Sequence, residues 1–290
     1  MSEAIAVLGA NGVYARHLIP RLTAQGHRVT ALVRRPESAA FAQSCGASVR
    51  IADIFDIASL AAGLQGSSIG INLATSLPGP SGRGDFEVND RVRAEGAANW
   101  VAACASAGVD RVIQQSIGMI CGSGGDSWTD ERHLLPASPD SVTGRAFLAT
   151  RTMEDTITAS PLDWIILRGG LFYGPGTGFD DGWFGRAAVG KLKLPEDGAG
   201  FVSLAHIADM ASATVAAVGR WPSRERLIVC DDAPVRWLGL FGHVAVLAGG
   251  PAPQAGGPPA FPSFRLRNDR ARDRLGWAPH YRDFRAGLAR

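Results

Sequence analysis

Gly9-Ala10-Asn11-Gly12 is the first set of residues whose types and spacing carry chemistry. A short apolar run, Ala4 to Leu8, leads into it, and a helical pattern, Val13 through Leu22, begins at once after it. Gly9 supplies a tight turn and Gly12 lets bare backbone approach an anion. The first-turn amides of the following helix then point at that anion. Ala15 is small where a third glycine often stands, so helix and strand can still pack closely. This order makes a site for a dinucleotide's diphosphate, bounded by Gly9, Ala10, Asn11, Gly12 and Val13. A chain with 36 glycines produces such spacings by chance, so the strand before and the helix after carry the argument.

A second charge-bearing stretch, Val33-Arg34-Arg35-Pro36, stands roughly 20 residues beyond the turn, where a dinucleotide's ribose is selected. No acid occurs there before Glu37. Guanidinium forks match a 2′-phosphate in charge and geometry, which favours NADP(H) over NAD(H). For at least one arginine of the pair, a solvated surface role competes with that reading. Three residues offer acid, base or hydroxyl chemistry. Tyr173, just past a predicted strand, can donate a proton to a developing alkoxide, or be structural. Ser116 ends another strand, where its hydroxyl can bind a substrate carbonyl or bond neighbouring backbone. His133 lies in a polar, glycine-rich stretch, Cys121 to Ser141, that reads as a mobile flap. His206 reads as structural, and Asp180 and Asp181 as a solvated acidic turn. Arg145, Arg151 and Arg265 are outlying candidates for an anionic substrate, with solvation as the alternative.

The elements that must position these groups alternate. After the first strand, Arg28 to Val33, Val49 to Ile51, Ile69 to Ala74, Arg111 to Gln115 and Trp164 to Leu167 read as strands. Helical patterns lie between them, with Ala97, Val101, Cys104 and Ala105 on one face, and Ala149, Met153 and Ile157 on another. Pro20 removes a hydrogen bond inside the first helix and predicts a bend between Arg16 and Pro20. Strand–helix alternation of this length predicts an α/β protein with a Rossmann-like, doubly wound parallel sheet and a small C-terminal substrate lobe. Residues 1–173 form the dinucleotide-binding domain, rejoined by about 202–231, and 174–290 form the substrate-binding region. A helix from His206 to Val218 and a strand from Arg226 to Cys230 belong to that return. Gly249 to Pro262 is too rich in Gly and Pro for regular structure. Asn268 caps a last short helix that ends near Gly276.

Bulk properties narrow the class. A net charge of +2 gives no argument for a nucleic-acid or membrane partner. Four scattered cysteines without a CxxC pair read as reduced thiols of a cytoplasmic protein. No apolar run approaches membrane-spanning length, and no secretory pattern opens the chain.

Several segments, in order, resemble the extended and atypical short-chain dehydrogenase/reductase family, in its NAD(P)-dependent epimerase/dehydratase-like branch. The glycine turn is similar to the family's own. The resemblance makes Asp53, in Asp53-Ile54-Phe55-Asp56, the acid beside the adenine. It runs Asn72-Leu73-Ala74-Thr75 under the cofactor and takes Leu167-Arg168-Gly169-Gly170 through Gly176 past the nicotinamide. His206-Ile207-Ala208-Asp209 and Leu275-Gly276-Trp277-Ala278-Pro279 resemble two late landmarks. It also implies a small-molecule substrate and a homodimer through the helices around Val92 to Ala107 and Arg145 to Thr158.

Family members that do redox or epimerase chemistry place a Tyr four residues before a Lys for proton transfer. Those slots fall here on Ala146 and Thr150, and the companion Ser slot falls on Ile117, one past Ser116. The tyrosines are Tyr14, Tyr173 and Tyr281, followed four residues on by Leu18, Thr177 and Arg285, and the only lysines are Lys191 and Lys193. Composition therefore excludes the dyad. Three readings follow: an oxidoreductase on a small metabolite with another proton source, a non-redox isomerase, dehydratase or cyclase on the same fold, and a non-catalytic nucleotide sensor.

Overall fold

A computed structural model describes residues 2–78, 84–258 and 261–288. Two compact units emerge. One runs up to Ser116 and adds Ala137–Leu167 and Ala211–Arg226; the other holds Ile117–Pro136, Arg168–Met210 and the chain from Leu227 on. This partition differs from the expected one, because 117–136 and 168–173 pack with the later part of the chain.

Strands β1 (Ala4–Leu8), β2 (Arg28–Val33), β3 (Ser48–Ile51), β4 (Ile69–Asn72), β5 (Arg111–Ile117), β7 (Asp163–Gly169) and β12 (Glu225–Val229) form one parallel sheet. Their order is β12-β7-β5-β4-β1-β2-β3. In register, Leu8 lies between Leu32 of β2 and Asn72 of β4. The sheet therefore grows from β1 in both directions, as a doubly wound fold requires. Helices α1 (Val13–Ala24), α2 (Ala40–Ser44), α3 (Ile57–Leu64), α4 (Phe86–Ala107) and α5 (Val142–Ala159) connect the strands. The predicted strands all form, with ends shifted by a few residues. β4 stops two residues early because Asn72 Oδ1 takes the Ala74 amide at 3.0 Å and turns the chain.

α1 passes Pro20 without interruption and ends at Ala24. Thr23 Oγ1 bonds the carbonyls of Ile19 and Pro20, and Arg21 bonds that of His17, which helps hold the turn. The apolar face of α4 is rotated from the predicted one. Val92, Gly96, Ala97, Trp100, Ala103 and Cys104 are buried, whereas Ala105 is exposed. Trp100 explains the rotation, since its ring lies against Gly70 of β4, where a Cβ would approach it to 2.7 Å. The face predicted for α5, Ala149, Met153 and Ile157, is buried as expected. Trp100, Trp164, Leu60, Leu64 and Ile166 belong to one core cluster. Burial of such side chains contributes about 1.5–3 kcal/mol each.

The second unit is built from short paired strands. β6 (Trp128–Thr129) pairs with β15 (Arg265–Leu266), and β8 (Leu171–Tyr173) pairs with β11 (Leu204–His206). β9 (Lys193–Pro195) pairs with β14 (Gln254–Gly257), and β10 (Phe201–Val202) with β13 (Val235–Arg236). Helices α6 (Phe179–Ala188), α8 (Trp237–Leu247), α9 (Asp269–Leu275) and α10 (Phe284–Leu288) complete it, and α7 (Ile207–Arg220) starts in it. β14 lies inside the stretch expected to be irregular. There Gly257 passes so close to the Leu194 carbonyl that a Cβ would come within 2.7 Å.

The expected flap is a held segment. β6 is paired, Gly124 donates to the Ser263 carbonyl at 3.0 Å, and Ser263 Oγ donates to that of Gly125. Asn268 does not cap α9 with its side chain. Its amide instead donates to the Cys230 and Asp231 carbonyls and to Asp232 Oδ1, which ties α9 to the chain after β12. Gly276 ends α9 in the left-handed conformation a C-terminal glycine permits.

Candidate functional site

The glycine turn leaves β1 at Leu8 and is shaped by what lies beside it. Gly9 has φ +78°, and a Cβ there would stand 2.9 Å from the Leu73 carbonyl carbon and 3.0 Å from the Ala74 amide nitrogen. Only glycine meets both conditions. The Gly12 amide closes the turn on the Gly9 carbonyl at 3.0 Å, and the Gly12 carbonyl accepts from Arg16 as α1 begins. No side chain caps the helix at Gly12, so its positive end faces outward uncovered by an N-cap oxygen. A Cβ on Gly12 would meet only the Gly9 carbonyl, at 3.2 Å, so on its open side bare backbone is presented. This is a cradle that side chains would fill, and its donor set fits a dinucleotide's diphosphate.

The other expected cofactor positions of the first unit converge on that edge. The Ala10 amide reaches the Leu32 carbonyl at 3.4 Å, and the Leu73 amide reaches the Leu8 carbonyl at 3.0 Å. Asn11 and Thr75 are exposed, while Val13 and Ala74 are half-buried. Arg34 and Arg35 follow β2 and both are exposed. Arg35 pairs with Glu37 at 3.3 Å, and Arg34 has no ion-pair partner among the described residues. Asp53 follows β3, with one carboxylate oxygen taking the Phe55 amide at 3.0 Å. The side chain of Ile54 turns inward onto Gly96 of α4, and its carbonyl accepts from Asn99. Only the backbone of Ile54 is left to serve a ligand.

The expected proton donors fare differently. Tyr173 is fully buried, its hydroxyl has no hydrogen-bond partner among the described residues, and a Cβ on Gly287 of α10 would run into that oxygen. The His206 ring meets it edge-on at 5.1 Å. Burial, then the carboxylates of Asp231 and Asp209, push the phenol well above its ordinary range. The Tyr173 hydroxyl is thus sealed here, not exposed toward a ligand as the donor role suggested by the sequence requires. Ser116 is also buried, and its hydroxyl donates to Glu154 Oε1 at 2.6 Å. Glu154 pairs in turn with Arg226 at 3.3 Å, so the Ser116 proton is committed to a buried network. His133 is exposed, just beyond the Asp130 turn.

Gly170 lies in the second unit, where it donates to the Val229 carbonyl at 2.9 Å. A Cβ there would come within 2.6 Å of the Ser203 carbonyl, so close strand packing alone demands this glycine. On α5, Thr150 bonds the Ala146 carbonyl at 2.7 Å and Met153 Sδ takes Gln114 Nε2. The two positions where the resemblance puts a Tyr and a Lys thus present a methyl group and a satisfied hydroxyl.

The sequence reading passes over Arg93. It lies on the buried face of α4 in phase with Asn89, Gly96 and Trp100, and is only 6% exposed. Burial pulls its guanidinium down to about 10, against the pull of Asp90 in the other direction. A charge in phase with a helix's buried residues is the signal that marks it. Choosing Ala97, Val101, Cys104 and Ala105 as the buried face hid that signal.

A seven-stranded parallel sheet wound both ways from β1, with a glycine cradle where β1 ends, defines the Rossmann class of dinucleotide-binding proteins. Residues 9–216 match the model of a family described as NAD(P)H-binding. A 3-diazoavenalumate denitrifying reductase from a Streptomyces species is 33% identical over 311 aligned positions covering 99% of each chain. In fold, the chain is similar to a UDP-glucose 4-epimerase from Thermotoga maritima solved with UDP-glucose. There the TM-score is 0.80 at 19% identity, over 98% of this chain and 96% of that one. MoeE5, solved with UDP-glucose and NAD, superposes with a TM-score of 0.78 at 24% identity over the same shares. The chain belongs to the NAD(P)H-binding family. Its likeness to named reductases and epimerases is consistent with an NAD(P)-dependent oxidoreductase or epimerase-like enzyme. No described helix is long and apolar enough to cross a membrane.

Proposed function

We propose that this chain is an NADP(H)-dependent reductase of a small organic molecule, working without a Tyr–Lys pair. The observation that carries the reading is the Gly9 turn locked against Leu73–Ala74, with Arg34 at the end of β2 without an ion-pair partner among the described residues. The backbone of Gly9 to Val13 would hold the diphosphate, Arg34 the 2′-phosphate, and Leu73–Thr75 the underside of the cofactor, while Asp53 would face the adenosine. Arg35, already paired with Glu37, contributes less. Gly170 and His133 are kept as outlying candidates, for cofactor and for acid–base work respectively.

The missing dyad says what kind of substrate fits. A carbonyl needs a proton on oxygen as it is reduced, yet Ala146, Thr150, Ser116 and Tyr173 supply none. When bound, the nicotinamide supplies hydride, and an aryl diazonium is an acceptor for which hydride suffices: ArN2+ and H− give ArH and N2, with no proton consumed. The whole-length likeness to a denitrifying reductase supports this substrate class. With such a substrate the protein's work is to position and to exclude water, and acid–base help from a residue such as His133 is needed only for a carbonyl.

The test is a stoichiometry. Purified protein with NADPH and a carboxylated aryl diazonium should consume NADPH and release N2 one for one, faster than a protein-free control. Turnover with no net loss of NADPH would refute the reductase in favour of the non-redox alternative. Binding of nucleotide without turnover of any diazo or carbonyl compound would favour a sensor. Four free cysteines support a reducing, cytoplasmic location. We also infer a homodimer through α4 and α5, for which sedimentation of the pure protein is the check.

A further inference from the structure

We infer that Arg93 is an anion-recognition residue of the reaction pocket and that the substrate it selects carries a carboxylate. This rests on the reductase reading above and deepens it.

The position follows from contacts along α4. Trp100 lies over Gly70, inside β4. About three turns earlier in the helix, Asn89 Oδ1 holds the Ser76 amide at 3.0 Å, beyond the carboxyl end of β4. Arg93 lies between them, one turn from Asn89 on the same buried face, and so stands level with the carboxyl end of the strand. Ligands of doubly wound sheets bind at that edge.

The side chain has no job in the fold. A buried arginine is ordinarily held by a carboxylate or by carbonyls. Arg93 makes no hydrogen bond and no ion pair among the described residues. The residue as a whole keeps 6% of its surface exposed. The charges around it are Asp90 on its own helix, a turn away and outside ion-pair distance, and, near Asp90, Glu87 and Arg145 of α5. Asp90 is half-buried, and its carboxyl is raised by burial despite both arginines. The cluster therefore offers a guanidinium fork that no described residue bonds.

The sheet order says which anion it meets. β4 lies on the opposite side of β1 from β2, and Arg34 follows β2. Arg93 is thus on the other flank from the proposed 2′-phosphate position. A planar guanidinium fork matches one carboxylate in charge and geometry.

The experiment uses the full chain saturated with NADP+, with trans-cinnamate and its neutral amide as probes, followed by calorimetry. Wild type should bind the acid about tenfold or more tighter than the amide, as a charge-assisted pair predicts. Arg93→Gln should erase that preference while leaving NADP+ affinity within about twofold. Arg93→Met should melt, without ligand, at or above the wild-type temperature, because it removes a buried charge without a bonding partner among the described residues. A preference for the acid that survives Arg93→Gln, or no preference in wild type with NADP+ bound, overturns the inference alone. A marked fall in melting temperature for Arg93→Met makes the residue structural and also overturns it. Failure of wild type to bind NADP+ at all overturns the reductase reading and this inference with it.

Discussion

Replacing Gly9 by alanine tests whether the cradle is built as described. Two costs can be separated. Alanine at φ +78° costs about 1–2 kcal/mol for left-handed backbone alone. The new Cβ would also stand 2.9–3.0 Å from backbone atoms of Leu73 and Ala74, which cannot swing aside as a side chain could. Both residues are pinned, the Leu73 amide on the Leu8 carbonyl and the Ala74 amide on Asn72 Oδ1. Relief requires lengthening at least one of those bonds, at about 0.5–1.5 kcal/mol. Gly46→Ala is the control, since Gly46 has φ +81° and nothing within 4 Å of its Cβ position. Gly46→Ala should lose about 1–2 kcal/mol and keep its nucleotide affinity. Gly9→Ala should lose about 1.5–3.5 kcal/mol in urea unfolding and bind NADPH about tenfold or more weakly, because the strap beneath the cofactor has moved. Quenching of the intrinsic tryptophan fluorescence reads the second quantity. Equal losses for the two variants, with NADPH affinity intact in both, would refute the close-packed cradle.

Arg34→Ala should weaken NADPH binding by about tenfold and leave NADH unchanged, whereas Arg35→Ala should change either by less, since Glu37 already holds it. Equal effects on both dinucleotides would remove the case for NADP(H). Tyr173→Phe should keep NADPH oxidation and be at least as stable as wild type, because it deletes a buried hydroxyl without a partner among the described residues. A large drop in kcat would restore the donor role to Tyr173. Asp231 has one carboxylate oxygen on the Ala233 amide and the other buried without a partner among the described residues, and burial raises its carboxyl well above the ordinary range. The folded state then holds a proton that the unfolded chain releases above about 3.9. Its contribution is present below that value and is lost as pH rises toward the folded pKa. Asp231→Asn should therefore gain on wild type in thermal melts as pH is raised from 4 to 8; a gap that does not change with pH contradicts the assignment.

Much of the first unit is legible in the residues themselves. Strand–turn–helix order around Gly9 and Gly12, the alternation that follows, and Arg34 after β2 are local patterns, and period and turn chemistry are local physics. The absence of a Tyr–Lys pair is a property of composition and needs no coordinates. Tertiary structure decided what each polar side chain is free to do. Tyr173 and Ser116 have the right atoms at the ends of strands, but one is sealed beneath Gly287 and the other is spent on Glu154, 38 residues away in sequence. Gly170, a candidate ligand contact in the sequence, is also required by a strand passing at the Ser203 carbonyl. Arg93 went the other way, passed over in the sequence and shown on the buried face of α4 only once Trp100 fixes how that helix is turned. Chain order sets periodicity and turns because those act over a few residues. Which donor or charge remains uncommitted depends on partners distant in sequence, and only the packed chain chooses them.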